Sequence, residues 1–323
     1  MNRSEGRVGF TTFHDTRLSH DNTLSCASCH DLRYAGIDRA VTAIGLNGQR
    51  GSLNTPTVFN SALSFNQLWN GRADDLESQI GEHLTSQGEM ASNWDEVATN
   101  LTVDPPIMSL LQQAYPGENS SESVDPSFWL AAIADFERTL LTPGSAFDAD
   151  LCGDDEAISE AAKESYQTFK NIGCTECHHG AGVGGQDLRQ FGEKRPYGHG
   201  QSQPVEGGDD CRAAAVDPRL FKVPNLRNVG LTAPYLHTGS LESLHEVVRV
   251  MGKVQLDIDL TDHQISRIVQ FLESHTSKYP GQEMDSCEPS VHRSIRAGRQ
   301  SRGQARKPCG LTQMVRDWSG LVA

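Results

Sequence analysis

"TLSCASCHDLRYAGID", residues 23–38, places Cys26, Cys29 and His30 in the order C-x-x-C-H. Two thiols and an imidazole this close can hold a zinc ion, cycle as a redox disulfide, or attach a haem covalently. The arrangement recurs. "GCTECHHG", residues 173–180, carries Cys174, Cys177 and His178 at the same spacing. A four-thiolate zinc site would need both pairs brought together and would leave both histidines without a role. A thioredoxin-like site needs a βαβ pattern around its pair, and none is evident. Haem attachment uses every residue: the thiols add to the two vinyl groups, and the next residue places an imidazole on the iron. Two copies, spaced to suit one per domain, make covalent haem the strongest reading.

The flanking periodicity is helical. "AISEAAKESYQTFKNIG" (157–173) sets Ala161, Ala162, Tyr166, Phe169 and Ile172 near one face and is stopped by Gly173. A helix running into the attachment loop is what a small cytochrome c domain looks like. "SLESLHEVVRVMG" (240–252) aligns Leu241, Leu244, Val247, Val248 and Met251, and the spacing predicts a helix ending at Gly252. "TDHQISRIVQFLESH" (261–275) opens with a capping box, Thr261 to Gln264. A further helix begins at Asp125-Pro126, turns Phe128, Trp129, Ile133, Phe136 and Leu140 inward, and stops at Pro143-Gly144. Convincing strands are scarce. The expected fold is therefore mainly α, with a boundary in "SAFDADLCGDDE" (145–156).

The chain is 323 residues long, enough for two domains of ordinary size. Its longest nearly apolar stretch, "FWLAAIADF" at 128–136, is far too short to span a bilayer. The start, "MNRSEGRVGF", has no apolar h-region, so either a signal has been removed or the protein is cytoplasmic. The net charge of −14 is uneven: residues 281–323 carry seven Lys/Arg against four Asp/Glu, and the preceding 280 carry 21 against 38. An acidic body argues against nucleic acid and suits a small basic protein partner, although it also serves plain solubility. Of eight cysteines, Cys152, Cys211, Cys287 and Cys309 stand outside the two motifs; they would be unremarkable reduced in cytosol, but could make two disulfides in an oxidising compartment.

Residues 10–280 resemble the bacterial dihaem cytochrome c peroxidases, in the superfamily that includes the methylamine-utilisation dihaem oxidase. The resemblance rests on "FHDTRLSHDNTLSCASCHD", "NTPTVFNSALSFNQLWNGRADDLESQ", "GEM", "FKVPNLRNVGLTAPYLHTGS" and "VVRVMG". It implies two cytochrome-c-like haem domains in tandem, 1–150 and 151–280, followed by an irregular basic tail, 281–323. It also implies two covalently bound c-type haems, one calcium ion and a periplasmic location. Hydrogen peroxide would be the substrate, and a small soluble cytochrome c or blue-copper protein the electron donor; a homodimer is compatible with it.

Carried over by position, His178 and Met251 ligate the electron-receiving haem, where a thioether raises the potential. The methylamine-pathway oxidase has tyrosine at that place. His30 is the proximal ligand of the peroxidatic haem, and Gln79 and Glu89 match the distal pair that moves a proton during peroxide cleavage. Trp69 matches the tryptophan between the haems. The Asn54 side chain and the Thr232 and Pro234 carbonyls match calcium ligands. His237 matches a histidine near the interface, with no role assigned.

The sequence also departs from that pattern. Many of these peroxidases cap the resting peroxidatic iron with a histidine, which alignment places at Leu46, and leucine cannot ligate. His83 stands where the family has proline, so it is a candidate distal base or iron ligand, or else a surface residue on a frayed helix end. The tail, with its basic "HRSIRAGRQSRGQARK", falls outside the resemblance. Competing functions are a dihaem oxidase acting on another substrate through high-valent iron, against which Met251 counts, and a non-catalytic electron carrier, which needs no Gln79 and Glu89.

Overall fold

Helix caps set the architecture of the computed structural model, which describes residues 3–116, 124–197 and 220–279. Helices α1 (Arg3–Phe13), α2 (Cys26–Cys29), α3 (Leu76–Thr85), α4 (Trp94–Thr102), α5 (Pro105–Ala114) and α6 (Pro126–Thr139) form the first group. Asp75, Asn93, Asp104 and Asp125 cap α3 to α6 by accepting first-turn N–H bonds, and proline opens both α5 and α6. Helix α6 is the spine, packed against α1 and α3. Trp129, Ile133, Phe13, Leu84, Leu101 and Leu111 fill the space around it. Gly9 makes the α1–α6 crossing tight: a Cβ there would stand 1.9 Å from the Ala132 carbonyl oxygen.

A second core follows. It is built on α7 (Ala146–Leu151), α8 (Glu160–Ile172), α9 (Leu244–Leu256) and α10 (Asp262–Glu273), with α10 packed on α8 and α9. Its centre is aromatic: the Phe271 ring stacks on Tyr166 at 4.9 Å and meets Phe147 edge-on at 5.0 Å. Helix α8 ends as expected, with Gly173 left-handed at φ 97°. The Thr261–Gln264 capping box is present. The described strands are two short ones, β1 (Leu188–Gln190) and β2 (Leu220–Lys222), antiparallel with Arg189 opposite Phe221.

Several expectations need correction. The helix expected over 240–252 spans Leu244–Leu256 instead. Gly252 does not stop it, because that glycine lies inside the helix, buried against Leu260, and the chain turns only at Asp257, φ 59°. Helix α6 ends at Thr139, short of Pro143, and Ala161 is exposed, not inward. Cys152 is disulfide-bonded; Cys211, Cys287, Cys309 and the tail lie outside the described residues. No described helix is long and apolar enough to cross a membrane.

Candidate functional site

Two adjoining cavities dominate the interior. The smaller is lined by Cys26, Cys29 and His30 on one side and by Gln79, His83 and Glu89 on the other. The larger is lined by Cys174, His178 and Met251; Cys177 does not reach its wall. His30, Asn54, Trp69, Gln79 and Glu137 belong to both linings.

The residues around each motif prepare an imidazole for a metal. His30 Nδ1–H donates to the Gly36 carbonyl (3.2 Å), and His178 Nδ1–H donates to that of Val183 (3.3 Å). A carbonyl can only accept, so each bond fixes the tautomer and leaves Nε2 free to ligate. Burial, the largest influence, pushes both imidazoles down to about 4, so both are neutral at physiological pH. Burial likewise raises the thiols, Cys29 to about 11 and Cys174 to about 12. A thiol pair beside an imidazole with free Nε2, on a largely apolar wall, suits a haem. Three or more His, Cys, Asp or Glu side chains do not gather as a metal cluster among the described residues.

Helix α3 builds part of the wall of the cavity that His30 lines. Leu76, Ile80 and Leu84 are buried in the first core, Ile80 and Leu84 also reaching the cavity, and Gln79 and His83, four residues apart, supply polar groups to its wall. The turn after α3 brings Glu89 back, and its Oε2 accepts from His83 Nδ1 at 2.6 Å. Burial opposes charge on both partners, but their mutual attraction and hydrogen bond outweigh it. The His83 imidazole is therefore held above its usual range and the Glu89 carboxyl below its own. His83 is thus a half-buried partner of Glu89 on the cavity wall. Leu46 does not line the cavity. Its side chain is buried, its N–H donates to the Glu89 carbonyl (3.0 Å), and Ala43, Ile44 and Gly45 face the space.

Trp69 stands where the two cavities adjoin, with Nε1–H donating to the Asn54 carbonyl (2.8 Å). Asn54 in turn donates its backbone N–H to the His237 carbonyl (2.8 Å) and its Nδ2 to that of Ala40 (2.9 Å). Thr232 and Pro234 reach the same larger cavity.

Sequence reasoning missed two charges inside these walls. Lys222 lines the larger cavity, and burial pushes its amine down to about 8. Glu137 lines both cavities, and burial pushes its carboxyl up to about 8. The signal for Glu137 was legible: it stands four residues after Ile133 and eight after Trp129, on the apolar stripe of α6.

Residues 4–156 match the family model described as di-haem cytochrome c peroxidase. The chain is 39% identical over 274 residues to the cytochrome c peroxidase Ccp of Escherichia coli, covering 84% of this chain but only 58% of that protein. It is 37% identical over 289 residues to the cytochrome c551 peroxidase of Nitrosomonas europaea, covering 90% and 85% of the two chains. A solved MauG-like protein associated with microbial copper homeostasis superposes with a TM-score of 0.69 at 25% identity, over 86% of this chain and 91% of that one. With paired attachment motifs, neutral buried imidazoles and relatives matched along most of its length, the chain belongs to the di-haem cytochrome c peroxidases, a family of haem enzymes.

Proposed function

We propose that this protein reduces hydrogen peroxide to water, using electrons that enter at a haem held by His178 and Met251 and pass to a haem held by His30. The observation that carries this reading is the 2.6 Å His83–Glu89 pair, set with Gln79 in the cavity that His30 lines. Haem iron, when bound, supplies the site at which peroxide coordinates and from which electrons reach it. The surrounding residues manage protons. Glu89 orients the His83 ring through Nδ1 and leaves Nε2 as its second polar atom. Cleaving the O–O bond requires moving one proton from the near peroxide oxygen to the far one, which leaves as water. A hydrogen-bonded acid–base pair performs that transfer, a service worth about 10²–10⁴ in rate. The amide of Gln79 gives the oxygens a fixed hydrogen-bond partner.

In the same reading the chain forms two haem domains, 1–150 and 151–280, with both haems covalently attached outside the cytoplasm. One calcium ion is held by Asn54 and the Thr232 and Pro234 carbonyls, and the donor is a small cytochrome c or blue-copper protein. The acidic body supports a basic donor. The test is steady-state turnover of peroxide with a reduced small cytochrome, using holoprotein whose two haems survive denaturation. Rapid electron exchange without peroxide consumption would instead mark a carrier, and free thiols at Cys26, Cys29, Cys174 and Cys177 would refute covalent attachment.

A further inference from the structure

Peroxide chemistry as proposed above needs more protons than the substrate brings. Conversion of one peroxide to two waters consumes two electrons and two protons, and the proton shuffled between the peroxide oxygens is neither of those two. The electrons come from the redox donor. The protons must cross a wall that is mostly apolar.

Glu137 is placed for that task. It sits on α6, the spine of the first core, with only 3% of its surface exposed. Among the described residues its Oε2 has no hydrogen-bond partner, although the side chain lines the cavity that also holds Gln79, His83 and Glu89. A buried carboxyl oxygen without a partner is costly, and the cost is lowest when the group is neutral. Packing of α3 on α6 brings His83 within electrostatic reach, and each group favours the charged form of the other.

We propose that Glu137 is the proton store of the peroxide pocket, a neutral acid that passes its proton to His83 and is refilled from solvent between turnovers. Once the His83 imidazolium has given its own proton to the oxygen being reduced, the Glu137 O–H bond breaks and an N–H bond forms on the neutral imidazole. The product is an imidazolium between two carboxylates, Glu89 and Glu137. That imidazolium then delivers the second of the two protons and returns to neutral, and between turnovers His83 and Glu137 each take up one proton from solvent.

The surroundings suit a group that titrates near working pH. Burial pushes the Glu137 carboxyl up to about 8; His83 on α3 and Arg138 on α6 oppose the rise, and Glu77 on α3 adds to it. Cys26 faces it from α2. From the other helices packed on α6, Arg7 of α1, His14 just after it and Asp95 of α4 are exposed, and Glu96 of α4 is occupied by His20.

The experiment uses the dihaem holoprotein. The infrared spectrum of the wild type is expected to contain a neutral-carboxyl carbonyl band that fades as pH rises through about 8. Glu137→Gln should remove this band. It should also lower kcat by about 10²-fold, the low end for a lost proton donor, while leaving KM for peroxide unchanged. The alkaline limb of the wild-type kcat profile should disappear in Glu137→Gln and return in Glu137→Asp. If Glu137→Gln does not fold, the wild-type band and the Glu137→Asp profile decide. An absent band, or an unmoved pH profile in an active variant, overturns the proposal. A shifted haem potential with an unmoved profile also overturns it, because the carboxyl then serves a haem propionate. Absence of peroxide turnover in the wild type is a separate failure, that of the peroxidase reading itself.

Discussion

Replacing Arg227 with Met should cost this protein about 3–5 kcal/mol, because it strands a buried charge. The Arg227 guanidinium, 4% exposed, grips Asp148, 0% exposed, through two parallel bonds: Nη1 to Oδ2 at 2.8 Å and Nη2 to Oδ1 at 2.7 Å. Its Nε–H donates to the Ala181 carbonyl, so one side chain ties three segments: the start of α7, the loop after His178, and the 224–226 stretch on the larger cavity. Methionine keeps the apolar stem and removes the fork. Asp148 then retains N–H bonds from Gly144 (3.1 Å) and Ser145 (3.0 Å), too few to solvate a buried carboxylate. The sign of the pH dependence should reverse as well. Burial works against the Asp148 charge, but Arg227 and then Ser145 outweigh it, so the folded carboxyl lies below its ordinary 3.8. That contribution is present above the unfolded value and is lost as pH falls through the folded one. Without Arg227, burial outweighs the remaining Gly144 and Ser145 bonds and raises the folded value. The variant is then most stable, relative to wild type, below the unfolded value and loses that ground as pH rises. Urea unfolding of the holoprotein at acid and neutral pH measures both effects, and Arg227→Met with Asp148→Asn should recover part of the loss. A single-variant loss under about 1 kcal/mol, or a pH trend matching wild type, would refute the argument.

Met251→Leu keeps the apolar stripe of α9 and removes the thioether, so the potential of the second haem should fall and turnover with a high-potential donor should slow; potentiometry decides, and unchanged potentials would leave Met251 a packing residue. His83→Ala should slow peroxide cleavage by at most about 10²–10⁴ and leave the resting ferric spectrum high-spin at the first haem. A wild type low-spin at both haems, with one turning high-spin in His83→Ala, would instead make His83 an iron ligand. The raised His83 value and lowered Glu89 value bracket a pH window for their ion pair. The His83 contribution is complete below its unfolded 6.5 and lost as pH rises through its folded value; that of Glu89 is present above its unfolded 4.5 and lost as pH falls through its folded value. Glu89→Gln should remove both limbs of this window from a stability-against-pH curve, because the carboxyl and its hold on the His83 charge go together.

What the sequence made legible was local. The Gly173 stop, the Thr261 capping box and the proline opening α6 depend on neighbours a few residues away, and all three are present. The extent of α9 was not legible, because Gly252 is held within the helix by packing on Leu260. The loop near Leu46 failed for a related reason. Whether residue 44, 45 or 46 faces the cavity depends on how that loop seats against residues 88–89, where a Cβ on Gly45 would stand 1.9 Å from the Gly88 carbonyl oxygen. The conclusion drawn from Leu46 does not depend on that register, since no histidine occurs between His30 and His83. Burial of Glu137 could have been read from the apolar stripe of α6, whereas that of Lys222 was hidden, because charge is written in the residue and burial is not. Gln79 and Glu89 came from the resemblance and His83 stayed open between pocket and surface, because only the turn after α3 shows that Glu89 reaches the ring.

The two cavities are linked by hydrogen bonds as well as by shared walls. Trp69 borders both, and its indole position is fixed through the Asn54 carbonyl. Asn54 is itself pinned at its N–H by His237 and at its side chain by Ala40 and Val41. The buried His237 ring lies 6.2 Å from that of Trp69 and 4.3 Å from Phe221, next in sequence to Lys222, whose N–H donates to the Trp69 carbonyl (2.7 Å). Trp69 is therefore held at its side chain by the Asn54 backbone and at its own backbone by β2. A tryptophan fixed at both ends keeps one orientation toward both cavities, so any loosening of Asn54 or β2 would reach the two sites together.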